Sequence, residues 1–208
     1  MKFSFKIQQY QTDAVNAVVD VFKGQVRPAQ DSSYLFDQGI IKPVKSAEKQ
    51  DYNLFQKQLE EQEAKQDILL GYANAPIQLD KNQLLQNIKL VQDNNNIKQS
   101  AELAAGQGKC SLDIEMETGT GKTYVYIKTM FELNKQYGWN KFIIIVPSVA
   151  IREGVKKSFE VMEEHFMSQY GKKARYFAYD SNNLTKIDDF AKSNEINVMI
   201  INNQAFAK

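Results

Sequence analysis

Apolar residues along this 208-residue chain change their spacing from segment to segment, and each spacing forecasts an element. Between residues 7 and 23, Ala14, Val15, Val18, Val19 and Phe22 recur on one side of a 3.6-residue period, which predicts an amphipathic helix. Thr12 or Asp13 is placed to cap it, and Gly24 followed by Pro28 to end it. Residues 25–110 then turn rich in Asn and Gln. Phe36 to Val44 reads as a short strand pair around Gly39 and Asp93–Asn96 as a loop. The run Glu60–Lys65 reads as a solvated helix with Leu54, Phe55, Leu59, Ile68 and Leu69 as a partial apolar face. A second helix is expected over Lys81–Gln92, with Leu84, Leu85, Ile88 and Val91 inward. The segment reads as an insertion packed on the domain edge.

From residue 111 the pattern becomes regular. Leu112, Ile114 and Met116 alternate like a strand into a glycine turn, and Val125, Ile127, Met130 and Phe131 follow at helical spacing, to about Gln136. After a turn at Tyr137–Asn140, the β-branched run Lys141–Pro147 predicts a strand buried on both faces of a parallel sheet. Ile151, Val155, Phe159, Met162 and Phe166 give the next helix. Arg175–Tyr179 is a third strand, Leu184–Ala191 a short helix and Asn197–Ile201 a fourth strand. This β-α-β-α-β-α-β order predicts an α/β fold with a parallel sheet and right-handed crossovers. Its ligands would gather beyond the carboxyl ends of the strands, at Glu117–Thr123, Pro147–Arg152 and Asn202–Phe206.

Composition narrows this picture. A 43% hydrophobic fraction with 12 Phe and 10 Tyr supplies a core. A net charge of +1 carries no bulk signal for nucleic acid, although a local basic stripe would suffice. The single cysteine, Cys110, excludes an intramolecular disulfide, and no Cys/His cluster suits zinc. The only histidine, His165, is open to a triad role but reads first as a helix-surface residue. The N-terminus lacks the apolar core of a signal peptide, and no run reaches membrane-spanning length. The expectation is a soluble, cytoplasmic chain that does not engage a membrane.

The chemistry concentrates at Thr118-Gly119-Thr120-Gly121-Lys122-Thr123. Glycines allow a tight turn whose N–H groups converge on an anion. The following helix aims its positive end at the same place. Lys122 would reach the β- and γ-phosphates and the Thr123 hydroxyl would ligate Mg²⁺. The general pattern wants a first glycine where this chain has Met116. A plain glycine turn with a stray lysine is the bland alternative, and the strand-to-helix context weighs against it. Ser148 at a helix start, with Arg152, Lys156 and Lys157 beyond, suits a nucleic-acid backbone. Pro147-Ser148 is equally an ordinary helix-start signal. Gln11, after Tyr10, carries a donor and an acceptor that fit an adenine edge, although most such glutamines lie on the surface. Asn202, Asn203 and Gln204 place amides at the third junction.

Four stretches together resemble the restriction (Res) subunit of type III restriction–modification enzymes, within the superfamily-two helicases. They are Ile114–Tyr126, Phe131–Gly138, Lys141–Val155 and Ile200–Phe206, which cover most of 111–208. The resemblance implies a three-layer, RecA-like P-loop NTPase motor lobe with a helical insertion. In that class the first motif lacks the early glycine, so Met116 is no anomaly. It further implies ATP and Mg²⁺ as cofactors, with Gln11 on the base and Thr118–Thr123 on the phosphates. Lys122 and Thr123 take the catalytic roles. Pro147, Ser148, Arg152 and Asn203 would touch double-stranded DNA, and a methyltransferase (Mod) subunit would be the partner. The implied organisation is an N-terminal helix with the adenine glutamine (1–24), an insertion (25–110) and the motor core (111–208). The family's Asp-Glu-x-His motif, second lobe and nuclease domain do not occur in these residues. The chain therefore reads as an N-terminal piece expected neither to hydrolyse ATP well nor to cut DNA alone. The rival readings are a type I-like motor or stand-alone DNA helicase, and a non-catalytic nucleotide-binding module.

Overall fold

The computed structural model describes residues 5–28, 36–38, 70–104, 108, 110–181 and 185–206. The elements, in order, are α1 (Gln9–Asp20), β1 (Phe36–Gln38), β2 (Leu70–Tyr72), α2 (Lys81–Asn94), α3 (Lys122–Tyr137) and β3 (Lys141–Val146). They continue with α4 (Val149–Tyr170), β4 (Ala174–Ala178), α5 (Thr185–Lys192), β5 (Ile196–Asn202) and a 3-10 turn over Asn203–Phe206.

The parallel sheet has the order β3-β5-β4. Its register pairs Val146 with Asn202 and Ala178 with Ile200. One face, carrying Val146, Ile196, Val198 and Ile200, packs on α3 and α4 through Ile127, Phe131, Phe159 and Phe166. Across the sheet, Phe190 of α5 meets Phe177 of β4 edge-on, so helices lie on both faces. A second core lies behind α3, where Val15, Val19, Phe22, Leu79, Leu84 and Ile88 enclose Val125, Tyr137 and Trp139. Buried polar groups tie it: Tyr137 Oη donates to the Val19 carbonyl at 3.0 Å and Trp139 Nε1 to the Ala75 carbonyl at 2.9 Å. Thus part of the segment expected at the domain edge, from Leu79 to Ile88, is built into this core.

Several expectations need correction. The run Leu112–Met116 joins no ladder with β3, β4 or β5. Only two of its three alternating positions turn inward: Leu112 and Met116 lean on the second core while Ile114 stays 51% exposed. β3 lies at the sheet edge, and Ile143 and Ile145 are 55% and 60% exposed. A β-branched run reports fit to a pleated surface, not how many layers cover it: α5 reaches that face of β3 only at Lys141, which donates to the Phe190 and Ser193 carbonyls. β1 pairs antiparallel with β2, Phe36 opposite Tyr72, rather than with the residues beyond Gly39. Residues 39–44 and the expected helix around Glu60–Lys65, with Leu54–Leu69, lie outside the described residues, as does Leu184.

Helix caps also differ. α1 starts after Gln8 without a side-chain cap, and Thr12 sits one turn inside, its hydroxyl donating to the Gln8 carbonyl at 3.3 Å. α2 is capped reciprocally: the Asp80 carboxylate accepts from the Gln83 N–H at 2.8 Å, and Gln83 Oε1 from the Asp80 N–H at 3.1 Å. That cap starts a helix that runs through Asp93 and Asn94, so only Asn95–Asn96 of the expected loop turns.

Burial sets the first expected outcome. Ile127, 0% exposed, replaced by Ala should cost about 2–5 kcal/mol in chemical denaturation. Ile143→Ala, on the open face, should cost less than about 1 kcal/mol. Equal losses would contradict the edge position of β3.

Candidate functional site

The turn before α3 is shaped by two left-handed glycines, Gly119 at φ +84° and Gly121 at φ +88°. Gly121 is the helix cap and offers no side chain, so the first N–H groups of α3 keep their donor capacity. The loop is folded on itself. Lys122 Nζ donates to the Met116 carbonyl at 2.7 Å and the Glu117 carbonyl at 2.8 Å. Thr120 Oγ1 donates to the same Glu117 carbonyl at 2.6 Å. An ammonium, the free N–H groups and the positive helix end therefore meet in one place, an arrangement that attracts a polyanion.

Gln11, distant in sequence, is drawn to this loop. Its Nε2 donates to the Thr120 carbonyl at 3.0 Å, and a Cβ on Gly121 would lie 2.5 Å from that nitrogen. Glycine at 121 thus serves both the left-handed turn and the close approach of α1. Behind the loop, Tyr124 Oη and His165 Nε2 lie 3.0 Å apart, and Phe5 packs on both rings. His165 is therefore half-buried against α3 rather than a free helix-surface residue.

The other two junctions leave the sheet side by side, since Val146 and Asn202 are register partners. α3 leads through Gly138 directly into β3, so its N-terminus lies toward the same end as Ser148. Ser148 caps α4, its Oγ accepting from the Ile151 N–H at 3.3 Å. Arg152 Nε lies 3.2 Å from Glu153 Oε1, Lys156 lies 2.8 Å from Glu153, and Lys157 lies 2.7 Å from Glu160. Hydrogen bonding to Lys156, then its charge and that of Arg152, hold the Glu153 carboxyl below its ordinary range. Two carboxylates of its own helix thus offset part of the basic stripe through pairs of the weak kind. Pro147 and Asn203 are exposed.

Sequence reasoning missed Tyr124, which joins the loop helix to His165, and Tyr126, whose hydroxyl is cut off from solvent. Tyr126 had one usable signal, its i,i+3 spacing from Thr123. The Tyr124–His165 contact is long-range and left none.

A glycine-rich turn feeding a helix that packs on a parallel sheet defines a RecA-like P-loop domain, a class that binds nucleotides. The chain belongs to the family described as type III restriction enzyme, res subunit, which matches residues 4–208. It is 44% identical over 61 residues to the Type III restriction-modification enzyme EcoP15I Res subunit of Escherichia coli. It is 41% identical over 61 residues to the EcoPI Res subunit of Escherichia phage P1. Each match covers 28% of this chain and 6% of the relative. The StyLTI Res subunit of Salmonella typhimurium is 45% identical over 50 residues, 23% of this chain and 5% of that protein. Among the described residues no helix is long and apolar enough to cross a membrane.

Two outcomes follow from the site geometry. Gly121→Ala should destabilise by about 1–2 kcal/mol through its left-handed backbone alone. Its thermal midpoint should partly recover in a Gln11→Ala background, where the 2.5 Å contact is gone. Burial, then the Lys128 charge, hold the His165 imidazole below its ordinary 6.5. The unfolded chain then binds a proton more readily, so stability should fall as pH drops below 6.5. Thermal midpoints from about pH 8 to pH 5 should decline less for His165→Asn.

Proposed function

We propose that this chain is the ATP-binding first motor lobe of a type III restriction subunit. The intact subunit would couple ATP hydrolysis to movement on double-stranded DNA and to its cleavage, beside a methyltransferase (Mod) partner in the cytoplasm. Residues 1–24 carry the adenine-reading Gln11, 25–110 form an insertion and 111–208 the motor core. The phosphates sit over Thr118–Thr123 and Mg²⁺ on the Thr123 hydroxyl. Pro147, Ser148, Arg152 and Asn203 meet the DNA backbone.

One observation carries this reading: the Lys122 ammonium is satisfied within the loop by two neutral carbonyls. A phosphate is a stronger acceptor for an ammonium than a carbonyl, because both partners are then charged. The free N–H groups after Gly121 supply the rest of the cradle. The donor set therefore fits a nucleoside triphosphate. Bound Mg²⁺ would neutralise phosphate charge and polarise the transferred group. This chain's own residues bind and orient: Lys122 holds phosphate oxygens, Thr123 holds the metal, and Gln11 exchanges Thr120 for the base. On the DNA side, phosphates would displace Glu153 from Arg152, an exchange eased by the exposure of that pair.

Calorimetric titration of the chain with ATP and Mg²⁺ tests the reading. Binding is expected, and Lys122→Ala should weaken it by about ten- to a hundredfold, the worth of a hydrogen bond to a charged group. Equal affinity of the two proteins would overturn it.

A further inference from the structure

Tyr126 lies one turn beyond Thr123 on α3. Side chains on a helix lean toward its N-terminus, so a tyrosine at i+3 reaches back over residue i. Its ring packs among the residues flanking the first core. Its hydroxyl is shut off from solvent and makes no hydrogen bond of acceptable distance and angle. The i,i+3 spacing puts Thr123 on the same side of the helix; burial pushes the Tyr126 phenol up, and the influence of Thr123 works against that push. A buried hydroxyl without a partner is costly and calls for a reason.

We propose that Tyr126 is a positioning residue for the metal site, its oxygen accepting a hydrogen bond from the Thr123 hydroxyl when that hydroxyl ligates Mg²⁺. The inference rests on the reading of Thr123 as the metal ligand. A hydroxyl oxygen that gives a lone pair to a divalent cation becomes a stronger donor, just as bound water becomes more acidic. Its proton must point away from the metal, and the i+3 position one turn on offers it the buried Tyr126 hydroxyl as acceptor. The proton stays on Thr123 throughout; the bond only fixes which lone pair faces the cation. Supporting groups of this kind orient metal ligands generally.

The test compares the chain with its Tyr126→Phe variant, which keeps the ring and removes the acceptor. ATP affinity is measured by calorimetry with saturating Mg²⁺ and again in EDTA, and thermal midpoints are read without metal or nucleotide. With Mg²⁺ the variant should bind about three- to tenfold more weakly, the worth of one hydrogen bond. In EDTA its affinity should match the parent, and its midpoint should be equal or higher, since an unsatisfied buried hydroxyl has been removed. An unchanged Mg²⁺ dependence, or a lowered midpoint with equal losses in both titrations, overturns the inference and leaves Tyr126 a packing residue. If the unaltered chain fails to bind ATP with Mg²⁺, the nucleotide reading itself falls and takes this inference with it.

Discussion

A helix with large apolar side chains on two opposite sides can satisfy them only by being buried between two cores, and α3 is such a helix. Tyr124, Ile127 and Phe131 face the sheet and α4, while Val125 and Tyr137 face α1, α2 and Trp139. Both cores draw side chains from it. Its far end is pinned by Asn134, whose Nδ2 donates to the Trp139 carbonyl at 2.9 Å, and by the Tyr137 bond to Val19. A rod held along its length and at its C-terminal end has a fixed N-terminal direction. The glycine turn can therefore stay a bare run of backbone, because the helix, not the turn, decides where the N–H groups aim.

The same constraint explains why the N-terminal helix belongs to the site. α1 packs along α3 through the second core, with Val15 and Val19 buried. That packing carries Gln11, at the exposed start of α1, to the Thr120 carbonyl. Lys128, the buried charged residue of α3, donates toward Thr12 Oγ1 at 3.4 Å and lies 5.9 Å from the Tyr124 ring centre. A buried ammonium is tolerable when it keeps donors engaged and faces an aromatic ring. Here it also adds positive charge to the half of α3 that leads to the phosphate turn.

What the sequence made legible was local. The glycine turn and Lys122-Thr123 read directly because their chemistry lies within six residues. α2 and α4 read from their periods, since Leu84, Ile88, Val155, Phe159, Met162 and Phe166 do bury at helical spacing. What failed depended on a partner that periodicity cannot name. The faces of β3 depend on which elements lie above and below it. Leu112–Met116 alternates, yet joins no ladder among the described residues. Thr12 looked like a cap because its hydroxyl bonds backbone, as it does, but to a carbonyl from inside the helix. The bond from Gln11 to Thr120 joins positions more than a hundred residues apart, beyond any local signal.

The self-bonded state of the loop bears on how a nucleotide would enter it. Three carbonyls, those of Met116, Glu117 and Thr120, hold Lys122 and Gln11 in place. In the function proposed above, the triphosphate must draw Lys122 away and the base must draw Gln11 away. Each release leaves a carbonyl to be satisfied by water, which offsets part of the gain from the new contact. The two releases share one loop, because Thr120 lies between Glu117 and Lys122 and its own hydroxyl is bonded to the Glu117 carbonyl. Moving one end of so short a turn loosens the other. A ligand that carries both base and phosphates then meets the reorganisation cost once, whereas a base alone or a triphosphate alone meets most of it without the second set of contacts. Selectivity for a complete nucleotide would follow from the strain of opening this turn, in addition to any hydrogen-bond match at Gln11.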